Sequence, residues 1–101
     1  MALDFKGRMA YGDYLKLDRL LSAQVPLSDK QDEKLFIIVH HVQELWLSLI
    51  IHELEFAMQN MRDGKAGLAF KALARISRIQ EQLISAWDVL STLTPSDYLT
   101  F

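Results

Sequence analysis

Cysteine is absent from the 101 residues, and the sequence has only two prolines and four glycines. Without cysteine, neither a disulfide framework nor a thiolate metal site can form. The glycines are scattered, so the sequence contains no phosphate-binding glycine loop, dinucleotide fingerprint or nucleophile elbow. Basic and acidic residues nearly balance at 11 and 13, giving a formal net charge of −2. This balance gives no reason to expect nucleic acid or an anionic membrane as a partner.

Uninterrupted apolar stretches of membrane-spanning length are also missing. The apolar runs are broken by polar residues, namely His40, His41, Gln43, Glu44 and Glu53, so we expect no helix that crosses a membrane. The first six residues lack the basic and apolar regions of a secretory signal. The expectation is therefore a soluble, cytoplasmic protein that forms one domain or part of one.

Half of the residues are hydrophobic, and their spacing predicts an all-α fold built from long antiparallel helices. Residues 1–27 are expected to form an arm with one short helix, which ends before Pro26. Residues 28–63 are expected to form one long buried helix, with Ser28 as its N-cap and Gln31 completing a capping box. Gly64 then suits a C-terminal cap.

The third segment, residues 65–93, is predicted to be an amphipathic helix. Its apolar stripe repeats at steps of three and four residues and consists of Leu68, Ala72, Ile76, Ile79, Leu83, Trp87 and Leu90. Residues 94–101 are predicted to begin a further helix, because Thr94 suits an N-cap and Pro95 suits the first helical position. We expect this helix to be truncated at residue 101. A short terminal helix docked on the bundle is the alternative.

The long central helix is apolar around most of its circumference, which predicts burial on nearly all sides. Two neighbouring helices of one chain cannot cover it. We therefore expect the chain to form part of an oligomeric helical bundle, or to be covered by further sequence.

His40 stands out because it lies inside this hydrophobic stretch, where an unpaired polar group costs about 1–3 kcal/mol. Its partner could be another side chain, a water, a metal or a substrate. Phe36 lies one helical turn before it on the same face, and the pair would suit a flat substrate with a polar N–H. The plainer interpretation, which the pattern alone favours, is a hydrogen-bonded core histidine.

A carboxylate-bridged metal centre has weaker support. His41 precedes Glu44 and His52 precedes Glu55 by three residues, which reverses the order used in helical-bundle metal sites. For His52 we expect a surface residue that pairs with Glu53 or Glu55.

Ordered motifs along residues 11–101 match one known family. The motifs are Tyr11-Gly12-Asp13-Tyr14-Leu15-Lys16-Leu17-Asp18, Ser22-Ala23-Gln24, Pro26-Leu27-Ser28, Asp32-Glu33, Leu35-Phe36-Ile37-Ile38-Val39-His40, Glu44-Leu45-Trp46, His52-Glu53-Leu54, Arg78-Ile79-Gln80, Trp87-Asp88-Val89-Leu90 and Leu93-Thr94-Pro95-Ser96-Asp97-Tyr98. In order and spacing they resemble the N-terminal part of the tryptophan 2,3-dioxygenases.

The resemblance implies a helical, haem-dependent enzyme that inserts both atoms of O2 across the indole C2–C3 bond of L-tryptophan and gives N-formylkynurenine. The implied cofactor is b-type haem, ferrous for O2 binding, and the implied assembly is a homotetramer.

The resemblance also implies roles for individual residues. His40 would be the catalytic distal histidine that hydrogen-bonds the indole N–H, and Trp87 would be a haem-side aromatic. Substrate-binding residues would be Phe36, Ile37, Ile38, Val39, His40 and Tyr98, joined by Tyr11, Tyr14 and Leu15 of the neighbouring subunit.

The sequence departs from the family pattern at His41, where glutamine is usual, and at Ser48, where lysine is common. The proximal histidine that holds haem iron and the arginine that binds the substrate carboxylate lie beyond Phe101 in the family, so we expect no metal ligand within this chain. These 101 residues are then expected to form a distal half-pocket that is inactive alone. The alternative is a catalytically incomplete offshoot of the family that acts as a helical oligomerisation module.

Overall fold

The computed structural model describes residues 10–94 and residue 96, and this part of the chain contains helices and no strand. The helices are α1 (Tyr11–Leu15), α2 (Leu17–Leu21), α3 (Glu33–Arg62) and α4 (Ala66–Leu90). The predicted all-α fold is confirmed. Apart from Thr94 and Ser96, the predicted helix at 94–101 lies outside the described residues.

The short helical segment of the arm is divided in two. Lys16 adopts a left-handed backbone conformation, with φ of 54°, and it separates α1 from α2. A non-glycine residue in this conformation ends a helix, because continuing a left-handed turn is unfavourable for an L-residue. The sequence pattern predicted one continuous helix here, and the structure replaces it with two single turns.

Helix α3 begins at Glu33, five residues after its predicted start. Its N-cap is Asp32, whose side chain makes no capping hydrogen bond. The hydroxyl of Ser28 accepts a hydrogen bond from the Lys30 N–H at 3.2 Å and donates one to Glu33 at 2.6 Å. Ser28 therefore stabilises the loop before α3 and does not cap the helix.

Helices α3 and α4 form an antiparallel pair joined by a tight turn at Gly64. Gly64 has φ of +74°, its N–H donates to the Met61 carbonyl at 3.2 Å, and the Lys65 N–H donates to the Asn60 carbonyl at 2.7 Å. These two bonds define a Schellman motif, which favours glycine because a left-handed residue is required. The C-terminal cap predicted at Gly64 is confirmed.

Three alanines bring α3 and α4 close together near this turn. Ala57 on α3 is buried against Ala69 and Ala72 on α4, and Ala69 is completely inaccessible to solvent. Further along the pair, the side-chain amide of Gln43 donates to the Leu83 carbonyl at 3.0 Å. The interface therefore combines small apolar contacts with hydrogen bonds from buried polar side chains.

Much of α3 is uncovered in the single chain, although the sequence predicted a helix buried on nearly all sides. Only six of its residues are buried, and two of them are apolar, Val39 and Ala57. Its large exposed apolar side chains are Ile38, Val42, Leu45, Leu47, Leu49, Ile51, Leu54, Phe56, Met58 and Met61. Helix α4 therefore leaves much of the apolar surface of α3 uncovered.

By length and composition, α3 could also cross a membrane, contrary to the expectation drawn from its interrupting polar residues. Two of those polar residues, Gln43 and Glu53, are buried against α4, however. The buried Glu53 pairs with Arg75 of α4, and the buried Gln43 bonds to α4 as well. This pairing is typical of a helix that packs against other helices.

Candidate functional site

Phe36, His40 and Trp87 form an aromatic cluster between α3 and α4. The rings of Phe36 and His40 have centroids 4.3 Å apart with an angle of 35° between their planes, because residues one turn apart on a helix share a face. The Trp87 ring of α4 lies 6.4 Å from His40, nearly perpendicular to it. The structure therefore brings together three residues that the resemblance assigned to the substrate and haem site.

The protonation of His40 follows from its hydrogen bond. Its Nδ1 lies 2.7 Å from the Phe36 carbonyl oxygen, and a carbonyl oxygen can only accept. Nδ1 must therefore carry the proton, which leaves the lone pair of a neutral imidazole on Nε2. No described residue hydrogen-bonds to Nε2. Among the described residues, Nε2 is therefore the ring nitrogen that could accept from a ligand with a polar N–H or O–H.

An apolar cluster holds this part of α3 against the end of α4. Val39, Leu90 and Leu93 are buried together, and Leu35 and Ala86 pack against them. Phe36 also contacts this cluster, so its ring and backbone are fixed by packing. Since the Phe36 carbonyl orients His40, the cluster indirectly sets the direction of Nε2.

The remaining predicted substrate contacts on α3 point in different directions. Val39 is buried in the apolar cluster at 7% exposure, whereas Ile38 is 40% exposed. Ile37 lines a separate cleft. Successive helical residues are rotated by about 100°, so the five-residue run 36–40 cannot face one site. Roles for Ile37, Ile38 and Val39 in substrate binding stay predictions.

The separate cleft lies between α3 and the loop that precedes it. It has a volume of about 460 Å³ and is lined by Ala23, Val25, Leu27, Glu33, Phe36, Ile37 and His41. Gln24 bonds to His41, one of the lining residues. The Gln24 amide nitrogen donates to the Leu20 carbonyl at 2.8 Å and lies 3.2 Å from His41 Nδ1. Because an NH2 group only donates, His41 Nδ1 is the acceptor and Nε2 carries the proton.

Glu33, at the start of α3, is 6% exposed and fully hydrogen-bonded. Its carboxylate accepts the Leu27 N–H at 2.8 Å, the Ser28 N–H at 2.8 Å and the Ser28 hydroxyl at 2.6 Å. The bond from the Leu27 N–H, followed by that from the Ser28 hydroxyl, lowers the pKa of the Glu33 carboxyl below its usual value, although partial desolvation opposes this. This role of Glu33 was not predicted, because its only signal in the sequence is a glutamate five residues after a serine.

The predicted contacts from a neighbouring subunit lie on α1. Tyr11, Tyr14 and Leu15 are 38%, 56% and 41% exposed, and among the described helices α1 contacts only α2. They are therefore not part of the His40 cluster of their own chain. Tyr98 lies outside the described residues.

No group of three or more histidine, aspartate or glutamate side chains in the described part of the chain is arranged to hold a metal ion. His52 is exposed, while the adjacent Glu53 pairs with Arg75. Among the described residues His52 forms no ion pair with Glu53 or with Glu55, so the pairing predicted from the sequence is not formed.

The chain is similar to curated bacterial proteins along nearly its whole length. It is 60% identical over 99 residues to a tryptophan 2,3-dioxygenase of Bradyrhizobium sp. strain BTAi1, covering 98% of this chain and 36% of the relative. It is 55% identical over 98 residues to that of Bacillus thuringiensis strain Al Hakam, covering 97% and 35%. An Exiguobacterium sibiricum relative of the same name is 56% identical over 98 residues, again covering 97% and 35%.

The chain spans about a third of the length of these relatives. A sequence model of one family, described as tryptophan 2,3-dioxygenase, matches residues 2–101. Because that match covers almost every residue, it extends to α3 with His40 and to α4 with Trp87. The chain belongs to the tryptophan 2,3-dioxygenase family.

Proposed function

We propose that the protein acts as a haem-dependent tryptophan 2,3-dioxygenase. In this reaction both atoms of O2 are inserted across the C2–C3 bond of the indole ring of L-tryptophan, which gives N-formylkynurenine. Family membership supports the reaction class. The single observation that carries the role of this chain is the Nε2 lone pair of His40, which has no hydrogen-bond partner among the described residues.

His40 would bind and orient the substrate. The indole N–H would donate to Nε2, while the Nδ1–H bond to Phe36 keeps the ring in the tautomer that can accept. The Phe36 ring, 4.3 Å from the imidazole, would pack against the flat indole. A fixed acceptor beside an aromatic wall positions the C2–C3 bond, and positioning of this kind contributes strongly to catalysis.

The residues present suit one side of a haem pocket. The Trp87 side chain remains half exposed at 51% although its ring lies next to His40, so it would pack against the cofactor. When bound, ferrous b-type haem supplies O2 binding and redox chemistry. We propose that His40 would not hold the haem iron, because one lone pair cannot bind iron and accept the indole N–H together.

We propose further that the functional unit is a homotetramer in which α1 completes the site of a neighbour. Two observations support this arrangement. The exposed apolar side of α3 includes a shallow groove formed by Val42, Leu45, Trp46 and Leu49. In addition, Tyr11 and Tyr14 are carried on a helix that contacts neither α3 nor α4 among the described residues.

The same apolar surface favours a second candidate function, a helical oligomerisation module without dioxygenase activity. The two candidates make different predictions for the purified protein in its full natural length. A dioxygenase supplied with haem, L-tryptophan and O2 forms N-formylkynurenine, which is followed by its absorbance, with one O2 consumed per product. An oligomerisation module assembles but forms no product, and that result would overturn the proposed reaction.

Haem titration tests the assigned role of His40 separately. If this chain alone is titrated with haem, the proposal predicts no spectrum of a five-coordinate, histidine-ligated iron. Such a spectrum, lost in His40→Ala, would identify His40 as an iron ligand and contradict its role toward the substrate.

A further inference from the structure

The N-terminal arm, α1 with α2, is connected to the helix pair through the loop of residues 22–32 and through no helix–helix packing. Among the described helices, α1 and α2 contact each other, and α3 and α4 contact each other, with no contact between the two pairs. Leu21 is 69% exposed and Leu20 is 40% exposed. Because the described helices of the arm do not pack against α3, the hydrogen bonds that hold the loop help to set the direction of the arm.

Glu33 provides the first of these attachments. Its two carboxylate oxygens accept three hydrogen bonds from Leu27 and Ser28, all of them between 2.6 and 2.8 Å, the range of charge-assisted bonds. Glu33 is also the first residue of α3, where the helix dipole favours a negative charge. The backbone at residues 27 and 28 is thereby fixed to the start of α3.

Gln24 provides the second attachment, nearer the arm. Its amide group donates to the Leu20 carbonyl, at the end of α2, and to His41, in the second turn after Glu33. Both hydrogens of one NH2 group are used, and they link α2 directly to α3. Together the two attachments fix both ends of the segment 24–28.

We propose that Glu33 and Gln24 are positioning residues that set the direction of the arm, and so determine how Tyr11, Tyr14 and Leu15 meet the substrate bound in the neighbouring subunit. This inference rests on the proposed function for its effect on substrate, but the attachment itself does not. Loss of either attachment would leave His40 and its cluster in place while weakening contacts that the arm makes with the substrate.

The test uses the haem-loaded protein in its full natural length, with Glu33→Gln and Gln24→Met. In Glu33→Gln one carboxylate oxygen becomes an NH2 group that cannot accept, so either the Leu27 N–H or the two Ser28 donors lose their acceptor. In Gln24→Met a side chain of similar length cannot donate. Glu44→Gln is the matched control, because Glu44 is exposed on the same helix. Hydrogen exchange of residues 11–28 and steady-state kinetics with L-tryptophan are measured for each variant.

We expect exchange at the amide of Leu27 or of Ser28 to become at least about tenfold faster in Glu33→Gln, since the one remaining oxygen can serve only one of these two positions. KM for L-tryptophan should rise about fivefold in both variants with kcat changed less than twofold, which indicates lost substrate binding. Glu44→Gln should change neither quantity. If Glu33→Gln does not fold, Gln24→Met decides the outcome, because it leaves the buried carboxylate intact.

Two results would overturn the inference. One is unchanged hydrogen exchange in residues 11–28 of both variants. The other is faster exchange with unchanged KM, which would make the attachments purely structural. If the unsubstituted protein forms no N-formylkynurenine, the proposed function fails, and the hydrogen exchange still decides whether Glu33 and Gln24 hold the arm.

Discussion

The Nδ1 atom of His40 lies 2.7 Å from the carbonyl oxygen of Phe36, one helical turn earlier. This bond fixes which ring nitrogen of the neutral imidazole can accept a hydrogen bond from a ligand. A histidine that served only the protein core would use both of its nitrogens within the protein, whereas the Nε2 of His40 bonds to no described residue. The sequence alone left both possibilities open.

The tautomer of His40 is directly measurable. We expect the neutral ring to carry its proton on Nδ1, because the Phe36 carbonyl can only accept. Nitrogen NMR of the histidine side chains distinguishes a protonated from an unprotonated ring nitrogen at neutral pH. His41 serves as an internal comparison, since the Gln24 amide selects its opposite tautomer. Finding the same tautomer at both positions would contradict the assigned hydrogen bonds.

Glu33 should make the free energy of unfolding depend on pH in the acidic range. Its folded-state pKa is lowered, mainly by the bond from the Leu27 N–H. A carboxyl with a lowered folded pKa contributes stability that is complete above its unfolded pKa, about 4.3, and is lost as pH falls through the lower folded value. The difference in unfolding free energy between the unsubstituted protein and Glu33→Gln should therefore shrink below about pH 4.3, as measured by denaturant titration. A difference that grows on acidification would contradict this sign.

The alanines between α3 and α4 should tolerate no larger side chain. Ala69 is completely buried, so Ala69→Leu should reduce the free energy of unfolding by about 1–3 kcal/mol through overpacking. Ala74→Leu is the matched control, because Ala74 is exposed on the same helix. Denaturant titration measures the free energy of unfolding of both variants. Equal effects of the two substitutions would mean that α3 and α4 do not approach closely at Ala69.

The ion pair of Glu53 and Arg75 should contribute more to the free energy of unfolding than the surface pair of Arg78 and Glu81. Glu53 is buried, so Arg75→Met leaves a buried carboxylate without its cation and should cost about 1–3 kcal/mol or more. Arg78 and Glu81 are 3.6 Å apart with largely exposed side chains, so Arg78→Met should cost less than about 0.5 kcal/mol. Thermal unfolding compares the two variants, and an Arg78→Met effect as large as that of Arg75→Met would refute the ranking.

The helices and their connecting turn could be predicted because their signals are local. The apolar spacing of α4 and the left-handed requirement at Gly64 both lie within a few residues, and Phe36 and His40 share a face by helical geometry alone. Of the predicted α4 stripe, however, Leu68 and Trp87 are 45% and 51% exposed, because periodicity does not state which part of a stripe has a partner.

What the sequence could not supply were contacts between separate segments. The approach of Trp87 to His40 depends on the register between α3 and α4, and the bonds of Glu33 depend on how the preceding loop folds back. Ser28 looked like an N-cap because serine suits both a cap and a turn. The local pattern could not distinguish them, and the actual start at Glu33 follows from the loop.

The most direct measurement is equilibrium binding of L-tryptophan and 1-methyl-L-tryptophan to the haem-loaded protein in its full natural length, with and without His40→Ala. If His40 accepts the indole N–H, the substitution raises the Kd of L-tryptophan about tenfold. The Kd of the methylated analogue, which has no indole N–H to donate, should not rise. An equal rise for both ligands would show that His40 does not bind the indole nitrogen.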